Sequence, residues 1–137
     1  MKTNRNDAVK RFTTGYNCCQ AVICAYCEEL GMKEEEIFRL TEAFGTGMGG
    51  LKDTCGAVSG MFMALSLANC KSTFENPKAT KEETYAMIQE AAKRFQEKHH
   101  SLYCRDLLDP SQAVPRACCI QCVEDAAGIV DEMLKNR

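Results

Sequence analysis

Proline is scarce in this chain, three in 137 residues, and no low-complexity tract interrupts it. With 45% hydrophobic residues as well, that excludes a disordered protein, since there is apolar surface enough to offset the entropy of ordering the chain. Long apolar runs are missing too. The longest, 57–68, carries Ser59, Gly60 and Ser66 and is too short to span a bilayer, so membrane insertion is not expected. The opening Met1-Lys2-Thr3-Asn4-Arg5-Asn6-Asp7 is too polar for a secretory leader, and the expected location is cytoplasmic. The 17 basic residues are scattered among 19 acidic ones, leaving no basic stripe to neutralise phosphates and no reason to expect a nucleic-acid partner. The length fits one domain, 1–137, large enough to bury a core without staples.

What the chain has in excess is cysteine, ten residues of it. A secreted disulfide scaffold is the first reading of such a density. It is disfavoured because no leader is expected and because most of the cysteines fall inside helical patterns rather than in a short, loop-rich chain. In a reducing compartment ten thiols are packing residues, metal ligands or redox centres, and roughly half are expected simply to pack as small buried hydrophobes.

The apolar period is helical from end to end, which predicts an all-α, single-domain bundle of five to seven helices. A short helix over 7–14 ends at Gly15. Asn17 caps a second over 18–30, stopped by Gly31. A third covers 33–44 and opens on Glu34, Glu35 and Glu36. A glycine-rich loop, 45–50, follows; it lacks both the Gly-Lys-Ser/Thr ending and the preceding strand of a phosphate-binding loop. Asp53 or Thr54 then caps a helix over 55–69, apolar nearly all round and hence the central buried one. Thr80 and Glu83 read as a capping box opening a helix to about His99. A short helix over 101–108, capped by Ser101, and a last one from near Pro115 to Lys135 complete the chain.

On this map Cys18, Cys55, Cys104 and the pair Cys118-Cys119 fall at or near four helix starts. Unpaired amide N–H groups and the helix dipole favour negative charge there, which lowers a thiol pKa and raises the fraction of thiolate, the form that binds metal or attacks a disulfide. Gly56 and Gly60, four apart beside Cys55, allow either close helix packing or the approach of a bulky group. Cys24-x-x-Cys27 lies within a helix, where Cys27 reads as packing, while Cys119-x-x-Cys122 on the last helix allows exchange between its two thiols. His99 and His100 are weaker ligand candidates, since histidines at a helix C-terminus commonly complement its dipole. Cys70 receives no role.

The run Cys55-Gly56-Ala57-Val58-Ser59-Gly60 resembles the CGAxxG motif of the C_GCAxxG_C_C family of redox-active proteins. Gly15-Tyr16-Asn17-Cys18-Cys19-Gln20-Ala21-Val22 is similar to the family's opening G-x-N-C-A-Q-A-V, with Cys19 in the alanine place. The segment Phe44 to Gly50 is similar to its Gly-rich loop, and Cys104-Arg105-Asp106-Leu107-Leu108 to its C-R-x-L-L. The family's closing cysteine precedes a valine and a paired alanine, so Val123 and Ala126-Ala127 select Cys119, with Cys118 and Cys122 as near misses. The resemblance covers nearly the whole chain and implies that Cys18, Cys55, Cys104 and Cys119 are the functional four.

Two chemistries suit four such thiols. They can bind an iron–sulfur cluster, or zinc in its place, with Gly56 and Gly60 making room, for electron transfer. Alternatively they cycle between dithiol and disulfide, with Cys55 as the attacking, catalytic thiolate. A structural Cys-rich helical module is the third reading. The electron-transfer or thiol partner is not legible, and a homodimer stays open.

Overall fold

The computed structural model describes residues 4–108 and 117–135. Among them the chain is all-helical, and its only β-type pairing is an isolated bridge between Thr54 and Tyr103. The helices are α1 (Arg5–Thr13), α2 (Cys18–Cys24), α3 (Cys27–Leu30), α4 (Glu34–Thr41), α5 (Gly45–Met48), α6 (Gly56–Asn69), α7 (Lys81–His99), α8 (Cys104–Leu107) and α9 (Ala117–Leu134), with a 3-10 turn at Glu42–Phe44. Six of them run to seven residues or more, within the expected five to seven.

Capping explains where the elements begin, and in three places it differs from the sequence reading; the first is α6, where Cys55 holds the N-cap position in place of Asp53 or Thr54. Asn17 caps α2 with a full capping box: its side chain accepts from the Gln20 amide at 2.8 Å, and Gln20 Oε1 accepts from the Asn17 amide at 2.9 Å. Gly31 closes α3 at φ +73°, as the sequence suggests. The expected box at Thr80 and Glu83 does not form. Thr80 Oγ1 instead accepts from the Lys71 amide at 3.0 Å and lies 3.3 Å from Ser72 Oγ, so it ties down the linker. Ser101 is not the cap of α8 either. Tyr103 holds that position, while Ser101 Oγ accepts from the Tyr103 amide and donates to Asp106. The expected start of the last helix at Pro115 lies outside the described residues.

Two predicted helices are broken. The 18–30 helix divides at Ala25–Tyr26, where Tyr26 N–H bonds Ile23 three residues back and its hydroxyl lies 2.7 Å from the Ala127 carbonyl of α9. The 33–44 helix ends early at Thr41, whose hydroxyl donates back to the Ile37 carbonyl at 2.6 Å, a bond that competes with the helix ladder.

The core is built on α6, as its all-round apolarity implies. Val58, Met61, Ala64 and Leu65 are fully buried against α2, α7 and α9. Each large side chain among them contributes about 1.5–3 kcal/mol by leaving water. Gly60 allows α2 and α6 to meet: a Cβ there would stand 2.8 Å from the Cys19 carbonyl oxygen and 3.0 Å from Val22 Cβ. Its function is therefore close packing, one of the two readings the sequence allowed. The start of α6 is left pointing at the starts of α2 and α8, with α9 passing beside them.

Candidate functional site

The segment between α4 and α6 draws these helix starts together. Gly45 lies hard against Asn17, and a Cβ on it would stand 2.7 Å from Asn17 Cβ. Thr46 and Gly47 both adopt left-handed backbone (φ +47° and +67°), which reverses the chain; Gly47 there faces Cys104 Cβ and the Asp53 amide too closely for any side chain. The Asp53 amide then donates to Gly47 O at 2.9 Å, Cys55 N–H to Leu102 O at 2.8 Å, and Cys104 N–H to Asp53 O at 2.6 Å. Thus one loop holds Cys18 at the first position of α2, Cys55 in the N-cap position of α6 and Cys104 at the first position of α8.

All three thiols face one cavity of about 90 Å³, and so do Cys119 and Cys122 of α9. Those two are three apart on a helix, a spacing that puts both on one face. Asn17, Thr46 and Gly56 also line the cavity, and Phe12, Leu107 and Leu108 add apolar surface to it. Gly56 is needed for closeness: a Cβ there would collide with Cys18 Sγ and stand 2.9 Å from the Phe44 carbonyl oxygen. Cys55, Cys104 and Cys122 are buried, while Cys18 and Cys119 are half-buried.

The thiols in this cavity differ electrostatically. Cys55 is brought down to about 7, chiefly by a hydrogen bond from the Cys122 S–H and further by the Val58 and Ala57 amides, against the opposing effect of burial. Cys122 moves the other way and holds its proton, because it is the donor to Cys55 and is itself desolvated. The helix start is thus the lesser cause at Cys55. At Cys18 the expected lowering does not occur. The Thr46, Cys19 and Cys18 amides do favour its thiolate, but burial and the neighbouring Cys55 charge outweigh them and raise its pKa.

The remaining candidates lie elsewhere. Cys19 is buried against Met63, its sulfurs 3.9 Å apart, and burial pushes its thiol up to about 12. Cys24, also near 12, and Cys27 are core residues. Cys70 is exposed at the end of α6, and Cys118 is half-buried at the start of α9 and not among the cavity-lining residues. His99 stacks on Phe95 and pairs with Asp125 at 2.8 Å, and His100 is the left-handed C-cap of α7, so neither lines the cavity. Sequence reasoning undervalued Cys122 and missed Thr46. The i, i+3 spacing from Cys119 was the signal for the first, whereas no sequence signal marks the second.

Sulfur donors suit a soft metal group. Among the described residues, however, no three His, Cys, Asp or Glu side chains converge closely enough to hold a single ion. The five thiols that line the cavity are the sulfur donors this site offers. Among the described residues, no helix is long and apolar enough to cross a membrane. No curated protein and no solved structure matches the chain. The family model described as "Putative redox-active protein (C_GCAxxG_C_C)" matches residues 16–133, a span that contains every cavity cysteine. The chain belongs to the C_GCAxxG_C_C redox-active family.

Proposed function

We propose that the cavity is an electron-transfer centre in which Cys18, Cys55, Cys104 and Cys119 are the ligands of an iron–sulfur cluster. The observation that carries this reading is the meeting of cysteines from four separate helix ends around one cavity. Such a group supplies electron transfer at a potential set by burial and by hydrogen bonds to sulfur. The chain's own part is to provide that setting. The Thr46 and Cys19 amides favour negative charge on Cys18, and the Val58 and Ala57 amides do so on Cys55. Phe12, Leu107 and Leu108 supply apolar surface to the cavity lining. Cys18 and Cys119, the half-buried pair, mark the side from which an electron partner exchanges. The lack of three convergent donors argues against a single zinc ion.

A second reading is favoured by the placement of Cys55 and Cys122 on one cavity with opposite pKa shifts. A thiolate available near pH 7 with a protonated thiol against it is the arrangement of a thiol–disulfide redox pair, with Cys55 attacking. Anaerobic purification followed by an absorption spectrum and iron and sulfide analysis separates the two. Visible absorption with iron and sulfide, lost in Cys55→Ser, supports the cluster. Colourless, metal-free protein whose Cys55 alkylates quickly at neutral pH supports thiol chemistry, and uniformly slow alkylation of a colourless protein overturns both.

A further inference from the structure

The central helix α6 carries no charged residue, yet one of its faces is open. Phe62, Met63 and Ser66 are only half-buried, and with Thr84, Tyr85 and Ile88 of α7 they line a surface groove of about 400 Å³. Leu67 continues the α6 face at 38% exposed, and Tyr85 is 56% exposed. Uncharged, contiguous apolar surface of this kind marks a place where another molecule sits. The redox cavity makes no use of it, since no residue of α7 and none of 62–67 lines that cavity.

The charges beside the groove identify the occupant. On α7, Glu82, Gln89 and Lys93 lie on the side of the helix next to Tyr85, because residues three, four, seven and eleven apart return to one face. Glu82 and Lys93 are three turns apart, about 16 Å along the axis. Both are exposed, and neither belongs to an ion pair among the described residues. The dipole of α7 accounts for an acid in the first turn, where Glu82 is, but its effect does not extend to Lys93, six residues before the helix end. Arg94 differs, being engaged within the chain by Glu90 and Glu132. An acid toward one end of a helix face and a base toward the other are complementary to that same face run backwards.

We infer that a second copy of this chain covers the groove. The two α7 helices run antiparallel about a two-fold axis between Met87 and Ile88, and Glu82 of each copy faces Lys93 of the partner subunit. The two-fold closes the assembly at a dimer, because one patch serves both copies. Burial of the two apolar grooves drives the association, while the two charge pairs at the rim fix its register. Both redox cavities stay open, since the interface takes none of their lining residues.

The test measures the mass of full-length protein by light scattering after gel filtration, and its dimer affinity by sedimentation equilibrium. The protein is kept reduced so that no intermolecular disulfide contributes. The expected mass at micromolar concentration is twice the 15.2 kDa of the chain. Glu82→Lys and Lys93→Glu should each weaken the dimer at least about tenfold, because each places two like-charged pairs across the axis. The double variant restores opposite charges at both contacts and should recover wild-type affinity. Glu35→Lys, the same change of charge on the exposed surface of α4, should leave the dimer unaltered. A monomeric wild type, single reversals that dimerise as before, or a double variant no better than the singles overturns the inference. None of these readouts depends on what the cysteine cavity holds.

Discussion

Cys18 and Cys19 follow one another at the start of α2, yet the helix turns them into different environments. Cys18 faces the cavity, touches the space kept open by Gly56 and has three amides favouring its thiolate. Cys19 is fully buried beside Met63, and with nothing to offset desolvation its thiol rises to about 12. The same division runs through the molecule. Cys55, Cys104, Cys119 and Cys122 share the cavity with Cys18, while Cys24 and Cys27 share the core with Cys19. A thiol is made reactive by what faces it rather than by its residue type, so burial alone does not distinguish the sets. Cys55 is nearly as enclosed as Cys27, and only its hydrogen-bond donors keep its pKa low.

The largest break in this comparison should come from Cys55→Ser. A serine cannot act as a soft ligand or nucleophile, so redox function should be lost outright. Serine is among the best N-cap residues, so unfolding free energy should stay within about 1 kcal/mol of wild type by denaturant titration. In the parent protein without metal, the alkylation rate of Cys55 should rise as pH is raised through about 7, because its depressed pKa makes the thiolate available there. Over the same range Cys19 should stay silent. If the variant unfolds, Cys55 belongs with the core set.

Next in size is Gly56→Ala, which joins the two sets through one backbone contact. Its Cβ would drive against Cys18 Sγ, which can swing, and against the Phe44 carbonyl oxygen at 2.9 Å, which cannot move without the loop. Overpacking of this kind costs about 1–3 kcal/mol. Urea denaturation should show that loss together with altered Cys18 reactivity; a change in stability alone would mean that the glycine serves only packing.

Cys19→Ser and Cys27→Ser should have the converse effect, sparing thiol chemistry and lowering stability. A hydroxyl in place of Cys19 meets Met63 sulfur and should cost about 1–3 kcal/mol. At Cys27 the hydroxyl can donate to the Ile23 carbonyl that the thiol already faces, so the loss should fall at the lower end of that range. Thermal melts beside a thiol-reactivity assay decide both, and loss of redox function in Cys27→Ser would invert the assignment.

Much of this was legible in the sequence because the signals were local. Asn17 and Gly31 carry their own capping chemistry, and the continuous apolarity of 57–68 has no stable place except the centre. The placing of cysteines at helix starts was likewise visible before any contact was known. What stayed illegible depends on partners distant in the chain. Tyr26 breaks its helix where its hydroxyl reaches α9, and Thr80 leaves its capping box because Lys71 and Ser72 reach it first. The pKa order is of the same kind. Helix starts predict thiolates at both Cys18 and Cys55, but the deciding neighbour of Cys55 is Cys122, from a helix more than sixty residues away.

The smallest effect should come from a residue without sulfur, Thr46. Its left-handed backbone (φ +47°) is costly for a β-branched residue, on the order of 1–2 kcal/mol, because its Cβ crowds the following carbonyl. Glycine removes that strain but has more freedom to lose on folding, so Thr46→Gly should stabilise the protein by only about 0.5–1 kcal/mol. The amide directed at Cys18 is kept, and Cys18 reactivity should therefore change little. Thr46→Pro removes the same amide and cannot adopt a positive φ, so it should disorganise the loop and take Cys104 with it through Gly47. Differential alkylation of Cys18 and Cys104 in both variants, with urea denaturation, reads the outcome. A destabilised Thr46→Gly would show that the threonine side chain contributes more than its backbone strain costs. The division between reactive and inert cysteines would then extend to a residue that no thiol pattern could reveal.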